Sequence, residues 1–321
     1  MTGQTRMNTP MNTNKVRTIL KPREESKLEP QQNHLLAALS PEVQGRLFPH
    51  LELVPLKLRA LLYDVGRPMR HVYFPTDSII SLQYVMEDGA STAILVVGNE
   101  GLIGITLFMG GETTRGRSVV QSAGHAFRLP RARVKDEFGR HGELLQLMLR
   151  YTQALITQVA QTAVCNRHHS IDQQLCRWLL LSMDRLSHNH LTMTQEFIAG
   201  MLGVRREGVT AAAIKLRDAG VISYARGLIK VLDRQKLEQA ACECYAVVHS
   251  ETERLLPYLP QRQLVTRPAD IPVVENKVIH AKAWARPRRY PRRNAAPAPT
   301  SDGAGPLQQG RRLISASWVH R

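Results

Sequence analysis

The chain has 321 residues, 43% of them apolar, a formal net charge of +16 and a pI of about 10.2. That length supplies cores for about two domains, and no apolar run reaches the roughly 18 residues that a bilayer crossing needs. The opening MTGQTRMNTPMNTNKVRTILK lacks the apolar stretch of a secretory signal, so a cytoplasmic chain with no membrane partner is expected.

The excess of Lys and Arg favours polyanions. Much of it sits in WARPRRYPRRN near the C-terminus, so charge by itself specifies no nucleic-acid site. Residues 1–32 are polar, rich in Asn, Thr and Gln, and without periodicity, which predicts disorder. HLLAALSPEVQGRLFPHLE then suggests short helices, one of them started by Ser40-Pro41-Glu42. Between about 51 and 130, the short apolar segments HVYF, SIISLQYV, TAILVVG, RSVVQ and HAFRL alternate with Pro and Gly turn signals. This texture predicts an antiparallel barrel or jelly roll.

After Pro130 the helical period returns in RARVKDEF, and then in HGELLQLMLRYTQALITQVAQTAV. Leu144, Leu147, Met148, Tyr151, Leu155, Val159 and Ala163 advance by three or four and form a seam on one face. Such a seam packs on the barrel or pairs with a second copy of the helix. The length of the helix favours the homodimer. A further helix, SIDQQLCRWLLLSMDRL, leads to LTMTQEFIAGMLGVRREGVTAAAIKLRDAGVIS.

In that stretch Thr192 and Gln195 have capping-box spacing, Phe197, Ile198, Met201 and Leu202 make a buried face, and Gly203 suits a left-handed turn. In the next helix Val209, Ala213 and Leu216 face a core, which leaves Arg206, Glu207, Thr210 and Ala211 to point elsewhere. Two short helices around a tight turn, with charges at the N-terminus of the second, are what a helix-turn-helix for double-stranded DNA needs, the alternative being an ordinary helical hairpin with a solvated Arg-Arg-Glu run. Arg206 can donate twice to guanine, and Glu207 can accept from the amino group of cytosine. Arg205, Thr194 and Gln195 are placed to hold the backbone. VISYARGLIKVLD reads as a two-stranded wing, with Arg226 and Lys230 reaching phosphate.

The four cysteines, Cys165, Cys176, Cys242 and Cys244, form no disulfide framework. Cys242 and Cys244 flank a single Glu, too close for the usual paired-ligand loop. Buried inert thiols are therefore expected in preference to a metal site with His168 or His169, and no metal ligand is assigned. The histidines His34, His50, His71, His125 and His141 are scattered, without the His-x-His pair of a cupin metal enzyme, and neither a phosphate loop nor a Ser/His/Asp arrangement is present. A non-enzymatic protein is expected. The competing readings are a cupin-like metal enzyme and a nucleic-acid binder acting through the electrostatics of its basic tail.

The order of small barrel, long helix and winged helix-turn-helix resembles the Crp/Fnr family of bacterial transcription regulators over roughly residues 33–245. Gly203, Arg206, Glu207 and Val209 match the family's Gly turn followed by Arg-Glu-x-Val. The resemblance implies an α+β fold: disordered 1–32, a cyclic-nucleotide-binding-like β-roll at 33–138 and a dimerisation helix at 139–166. The winged helix-turn-helix follows at 167–245, and a mostly disordered basic extension at 246–321.

It also implies a homodimer on an inverted-repeat operator, with RNA polymerase as a partner of an activator, and Arg206 and Glu207 as base readers. Two departures stand out: Ala211 replaces a second reading arginine, and Arg205 replaces a capping Ser. In GLIGITLFMGGETTRGRSVVQ, Gly104 matches the family's nucleotide turn, while Ile105 stands where a ribose-binding Glu is expected. Arg115 or Arg117-Ser118 is the candidate anion site. Because Ile105 cannot accept a sugar hydroxyl, cyclic AMP is disfavoured as the effector. Thr157 and Thr162 fall near where the family contacts the base. The first cysteine is Cys165, so the N-terminal cysteine cluster of the iron–sulfur sensors is absent and no such cluster is expected.

Overall fold

The turn signals between residues 51 and 130 produce seven strands in two sheets. A computed structural model of the chain describes residues 28–186 and 188–256. The expected disordered start and basic tail therefore lie largely outside the described residues. Two short helices come first, α1 (His34–Ala37) and α2 (Pro41–Leu47). Asn33 caps α1 by accepting from the Leu35 and Leu36 amides. Its own amide donates to Pro75 and Gly101, so the buried side chain also fastens the helix to the sheets.

The strands are β1 (Glu52–Leu56), β2 (Leu61–Tyr63), β3 (His71–Pro75), β4 (Ile79–Val85), β5 (Ser91–Val97), β6 (Arg117–Ser122) and β7 (Gly124–Pro130). They pair antiparallel in the orders β1-β7-β3 and β2-β6-β4-β5. The jelly-roll expectation holds. The barrel alternative does not, because the two sheets among the described residues do not join into a closed cylinder.

The helix α3 (Arg131–Phe138) leads to α4 (Glu143–His168), 26 residues long. Leu144, Leu147, Met148, Tyr151 and Leu155 of α4 are buried in the same core as Val72, Phe74, Val97 and Leu129 of the roll. The Tyr151 hydroxyl accepts from the Leu102 amide at 3.1 Å and donates to the Leu102 carbonyl at 2.9 Å, which fixes the rotation of the helix. The seam read from the sequence is thus mostly intrachain core. A second stripe, which shares Val159 and Ala163 with that seam, remains uncovered, with Leu149, Ile156 and Ala163 at one heptad position and half-buried Leu145, Thr152 and Val159 at another. Leu149 is 55% and Ile156 63% exposed.

Beyond α4 lie α5 (Ile171–Met183), β8 (His190–Thr192), α6 (Gln195–Leu202), α7 (Arg206–Asp218), β9 (Ile222–Ala225) and β10 (Leu228–Val231). The helices α8 (Arg234–Ala240) and α9 (Glu243–Leu255) complete the described chain. The second core is built mainly from α5 to α9, but it includes Ile79, Ala93 and Val96 from the outer face of the four-stranded sheet. Arg185, just past α5, joins these parts. Its guanidinium pairs with Glu100 at 2.7 Å and reaches Gln158 of α4 at 3.4 Å. The helix α9 runs ten residues into the segment assigned to the extension and packs along α4, with Gln153 donating to Glu251 at 3.3 Å. Among the described residues, no helix is long and apolar enough to cross a membrane.

Candidate nucleic-acid interface

The helix α6 begins just before Glu196, as expected, but its cap lies two residues later than capping-box spacing suggests. Thr192 belongs to β8, whose Leu191 pairs with Ile229 of β10, so its side chain is committed to a strand. Thr194 is the N-cap and accepts from the Phe197 amide at 3.2 Å. Ile198, Ala199, Met201 and Leu202 then face the core, and Gly203 ends the helix at φ +67°. The Val204 amide returns to the Ala199 carbonyl at 3.1 Å, closing a tight left-handed turn. A side chain at Gly203 would also run into Thr92 of β5, so two independent constraints require glycine there.

The second helix follows at once. Arg205 is its N-cap residue and makes no side-chain capping bond, as the loss of a capping Ser implies. Val209, Ala212, Ala213 and Leu216 are buried, and Gly208 lets the helix approach α5 so closely that a Cβ would stand 2.6 Å from Ile171 Cδ1. The remaining face carries Arg205, Arg206, Glu207 and Ala211, all exposed. Arg206 and Glu207 make no side-chain hydrogen bond or ion pair with any described residue. Their positions at the N-terminus of a 13-residue helix add the free amides and positive dipole end that favour an anion.

Thr210 and Gln195 are brought together instead of standing apart. The Thr210 hydroxyl lies 2.8 Å from Gln195 Oε1 and 3.0 Å from the Arg206 carbonyl, so it links the two helices of the motif. Thr194 is likewise occupied by its capping bond, and Arg59 of the roll reaches its hydroxyl at 3.5 Å while lying 5.5 Å over the Phe197 ring. These three residues position the motif, and their hydroxyl and amide groups are partly spent inside the chain.

Strands β9 and β10 form the wing expected from the sequence, joined by Arg226 and Gly227 at φ +50° and +79°. Two consecutive residues with positive φ make the kind of turn that suits a twisted hairpin. The exposed Arg226 side chain stands at its tip, and exposed Lys230 follows on β10. Strand β8 adds a third strand, which the short HLT segment did not announce. The Tyr224 hydroxyl donates to the Met193 carbonyl at 3.2 Å and ties the wing to the start of α6. Burial pushes that phenol's pKa up.

The roll contains a cavity of about 50 Å³ lined by residues including Tyr63, Leu82, Gly104, Ile105, Ser118 and Leu155. That is room for a few waters and not for a nucleotide. Gly104 (φ +114°) and Ser118 lie in its wall, as the expected effector turn requires. Arg115 and Arg117 do not. Arg117 is exposed and donates to Asp64 at 2.9 Å, holding that carboxyl below the ordinary range together with the Val65 amide, the larger influence. The sequence places both arginines near this turn, but Arg117 already has a carboxylate partner and neither lines the cavity.

All four cysteines are buried, as expected, and three of them converge. Cys165, Cys242 and Cys244 are all buried, and together with His169 they bring their ligand atoms within 4.8 Å of one another. No local motif could have signalled this, because the two halves of the group are separated by more than 70 residues of sequence.

Residues 173–240 match the family model of the Crp-like helix-turn-helix domain. No curated protein matches the chain in sequence. Among solved structures, FixK2 from Bradyrhizobium japonicum is similar at a TM-score of 0.51 and 15% identity, covering 60% of this chain and 98% of that one. A protein described as a transcriptional regulator of the Crp/Fnr family, from Eubacterium rectale, is similar at a TM-score of 0.50 and 16% identity, covering 65% and 98%. At these identities the structural likeness establishes the fold, and the family match establishes the helix-turn-helix. The chain therefore carries a Crp-like helix-turn-helix domain at residues 173–240, following a long helix and a β-roll.

Proposed function

We propose that the chain is a sequence-specific, non-enzymatic transcription regulator that binds an inverted-repeat operator as a homodimer in the cytoplasm. The observation that carries this reading is the exposed, unpaired Arg206–Glu207 pair at the N-terminus of α7, held outward by a buried opposite face. Arg206 reads guanine and Glu207 reads cytosine, while Arg205, Arg226 and Lys230 meet phosphate. Ala211 offers a methyl contact to thymine. Thr194, Gln195 and Thr210 contribute through positioning.

The uncovered heptad stripe on α4 supplies the dimer seam. Two such subunits present their recognition helices about 34 Å apart, one turn of duplex. Where the protein activates, RNA polymerase is its further partner. Ordinary cyclic AMP is disfavoured as an effector: Ile105 stands at the ribose position, and neither Arg115 nor Arg117 lines the roll cavity. Contacts between α6 and β5 and between Arg59 and Phe197 give the roll a mechanical hold on the motif.

Selection of bound sequences from random duplex DNA tests this reading. An inverted repeat with half-sites one helical turn apart is expected, and recovery of sequences without symmetry or consensus would contradict it.

The wing provides a separate check. Arg226 occupies a left-handed conformation that costs an ordinary residue about 1 kcal/mol and that Asn tolerates. Arg226→Asn is therefore expected to leave stability unchanged or raised by up to about 1 kcal/mol. The log–log salt slope of operator affinity should become shallower by about one for each wing that meets phosphate. Melting curves and a salt titration measure both.

A further inference from the structure

At the end of α4, Cys165 and His169 stand four residues apart on one side of the helix, and His169 is the extended residue at which α4 gives way to α5. Across from them Cys242 occupies the N-cap position of α9, and Cys244 lies in its first turn. The Cys165 and Cys242 sulfurs are 3.6 Å apart, and Cys244 Sγ is 3.5 Å from His169 Nδ1. A tetrahedral zinc ion with bonds of about 2.3 Å to sulfur and about 2.05 Å to nitrogen has sulfur–sulfur edges of about 3.8 Å and sulfur–nitrogen edges of about 3.6 Å. The two distances fit those edges, and all four ligand atoms lie within 4.8 Å of one another.

Two further features suit a cation. His169 Nε2, turned away from the sulfurs, lies 3.2 Å from a Glu243 carboxylate oxygen, the outer partner that orients a metal-bound imidazole. Arg177 is buried, donates to Thr162 at 2.9 Å, and forms no ion pair with any described carboxylate. It interacts electrostatically with all three thiols. Three thiolates, one neutral imidazole and a divalent cation carry one net negative charge, which is the counter-charge a buried guanidinium needs. A disulfide would use only two of the three converging sulfurs and would leave the imidazole without a role.

We propose that Cys165, His169, Cys242 and Cys244 form a closed Cys3His zinc site that staples the end of α4 to the start of α9. On binding, the three thiols release their protons to solvent, the imidazole supplies its Nδ1 lone pair, and all four positions are filled by protein. The site is structural, with no coordination position left for a substrate. Because one ligand is the residue at the α4–α5 joint, the ion fixes the angle at which the chain leaves the long helix. This inference stands independently of DNA binding.

The test is the metal content and cobalt spectrum of the full-length chain purified under reducing conditions. About one zinc per chain is expected. After its removal, titrated Co2+ should give tetrahedral visible bands and thiolate charge-transfer absorption. Cys176→Ser, which alters the cysteine outside the group, should keep one equivalent. His169→Cys should keep it with a changed cobalt spectrum, and Cys244→Ser should weaken zinc at least tenfold. Zinc removal should also raise amide exchange around residues 168–170.

If Cys244→Ser does not fold, cobalt titration of the unaltered chain decides alone. A folded, reduced chain that holds no zinc and gives no cobalt bands would overturn the proposal. So would iron in place of zinc, or a Cys165–Cys242 disulfide found by mass spectrometry in the freshly isolated protein.

Discussion

Ile156→Asp is expected to abolish the proposed dimer. Ile156 is 63% exposed on a helix whose opposite face is already committed to the roll, and it stands seven residues from both Leu149 and Ala163. In a paired helix, these residues and half-buried Leu145, Thr152 and Val159 provide the two apolar positions of the heptad. A carboxylate at the centre of that seam is desolvated twice, once in each subunit, and faces its own copy. The dimer dissociation constant should rise at least about 100-fold, or about 3 kcal/mol. Sedimentation should then give the 36.1 kDa chain in place of twice that mass. Gln146→Asp, exposed but off the stripe, should change nothing. A variant that remains dimeric would place the subunit contact elsewhere and leave the stripe without a partner.

Arg185→Ala should be the most damaging single change to stability. The Arg185 guanidinium holds Glu100 of the roll at 2.7 Å, reaches Gln158 of α4 and donates to the Leu181 carbonyl of α5, so one side chain meets three parts of the molecule. Both partners of the ion pair are largely buried, at 8% and 15% side-chain exposure. Removing one leaves the other charged and unpaired, a loss of about 3–5 kcal/mol. Replacing both should cost much less, so Arg185→Met combined with Glu100→Gln should recover most of the loss in denaturant unfolding. Equal losses in the single and double variants would show that packing volume, and not the pairing of charges, is what matters there.

The division between what could and could not be read from the residues follows the range of the interactions. Gly203, the buried Val209, Ala213 and Leu216, and the hairpin at Arg226-Gly227 are set by neighbours within a few positions, and the alternation of apolar and turn residues does the same for the roll strands. The long helix was legible as a helix but not in its orientation. It carries two apolar stripes, and 3.6-residue periodicity says nothing about which one meets its own roll and which is left for a partner. Thr192 and Gln195 have the spacing of a capping box, yet β10 recruits Thr192 into a strand, and the cap passes to Thr194.

Among the effector candidates, Gly104 and Ser118 reach the cavity wall because the backbone puts them there. Arg117 has the right neighbours in sequence, but Asp64, more than fifty positions away, captures its side chain. The cysteine group is the extreme case. Half of it sits at the end of one helix and half at the start of another, and only the packing of α9 on α4 brings the halves together.

If Arg206 at the N-terminus of α7 reads a base edge, the affinity of Arg206→Ala for an operator and for its single-base-pair variants will report it. On the selected inverted repeat the substitution should cost about 1–3 kcal/mol per half-site. It should abolish discrimination at one symmetric guanine position while leaving the other positions and the salt slope near their original values. Unchanged discrimination at every position, or a uniform loss across all sequences, would contradict the account.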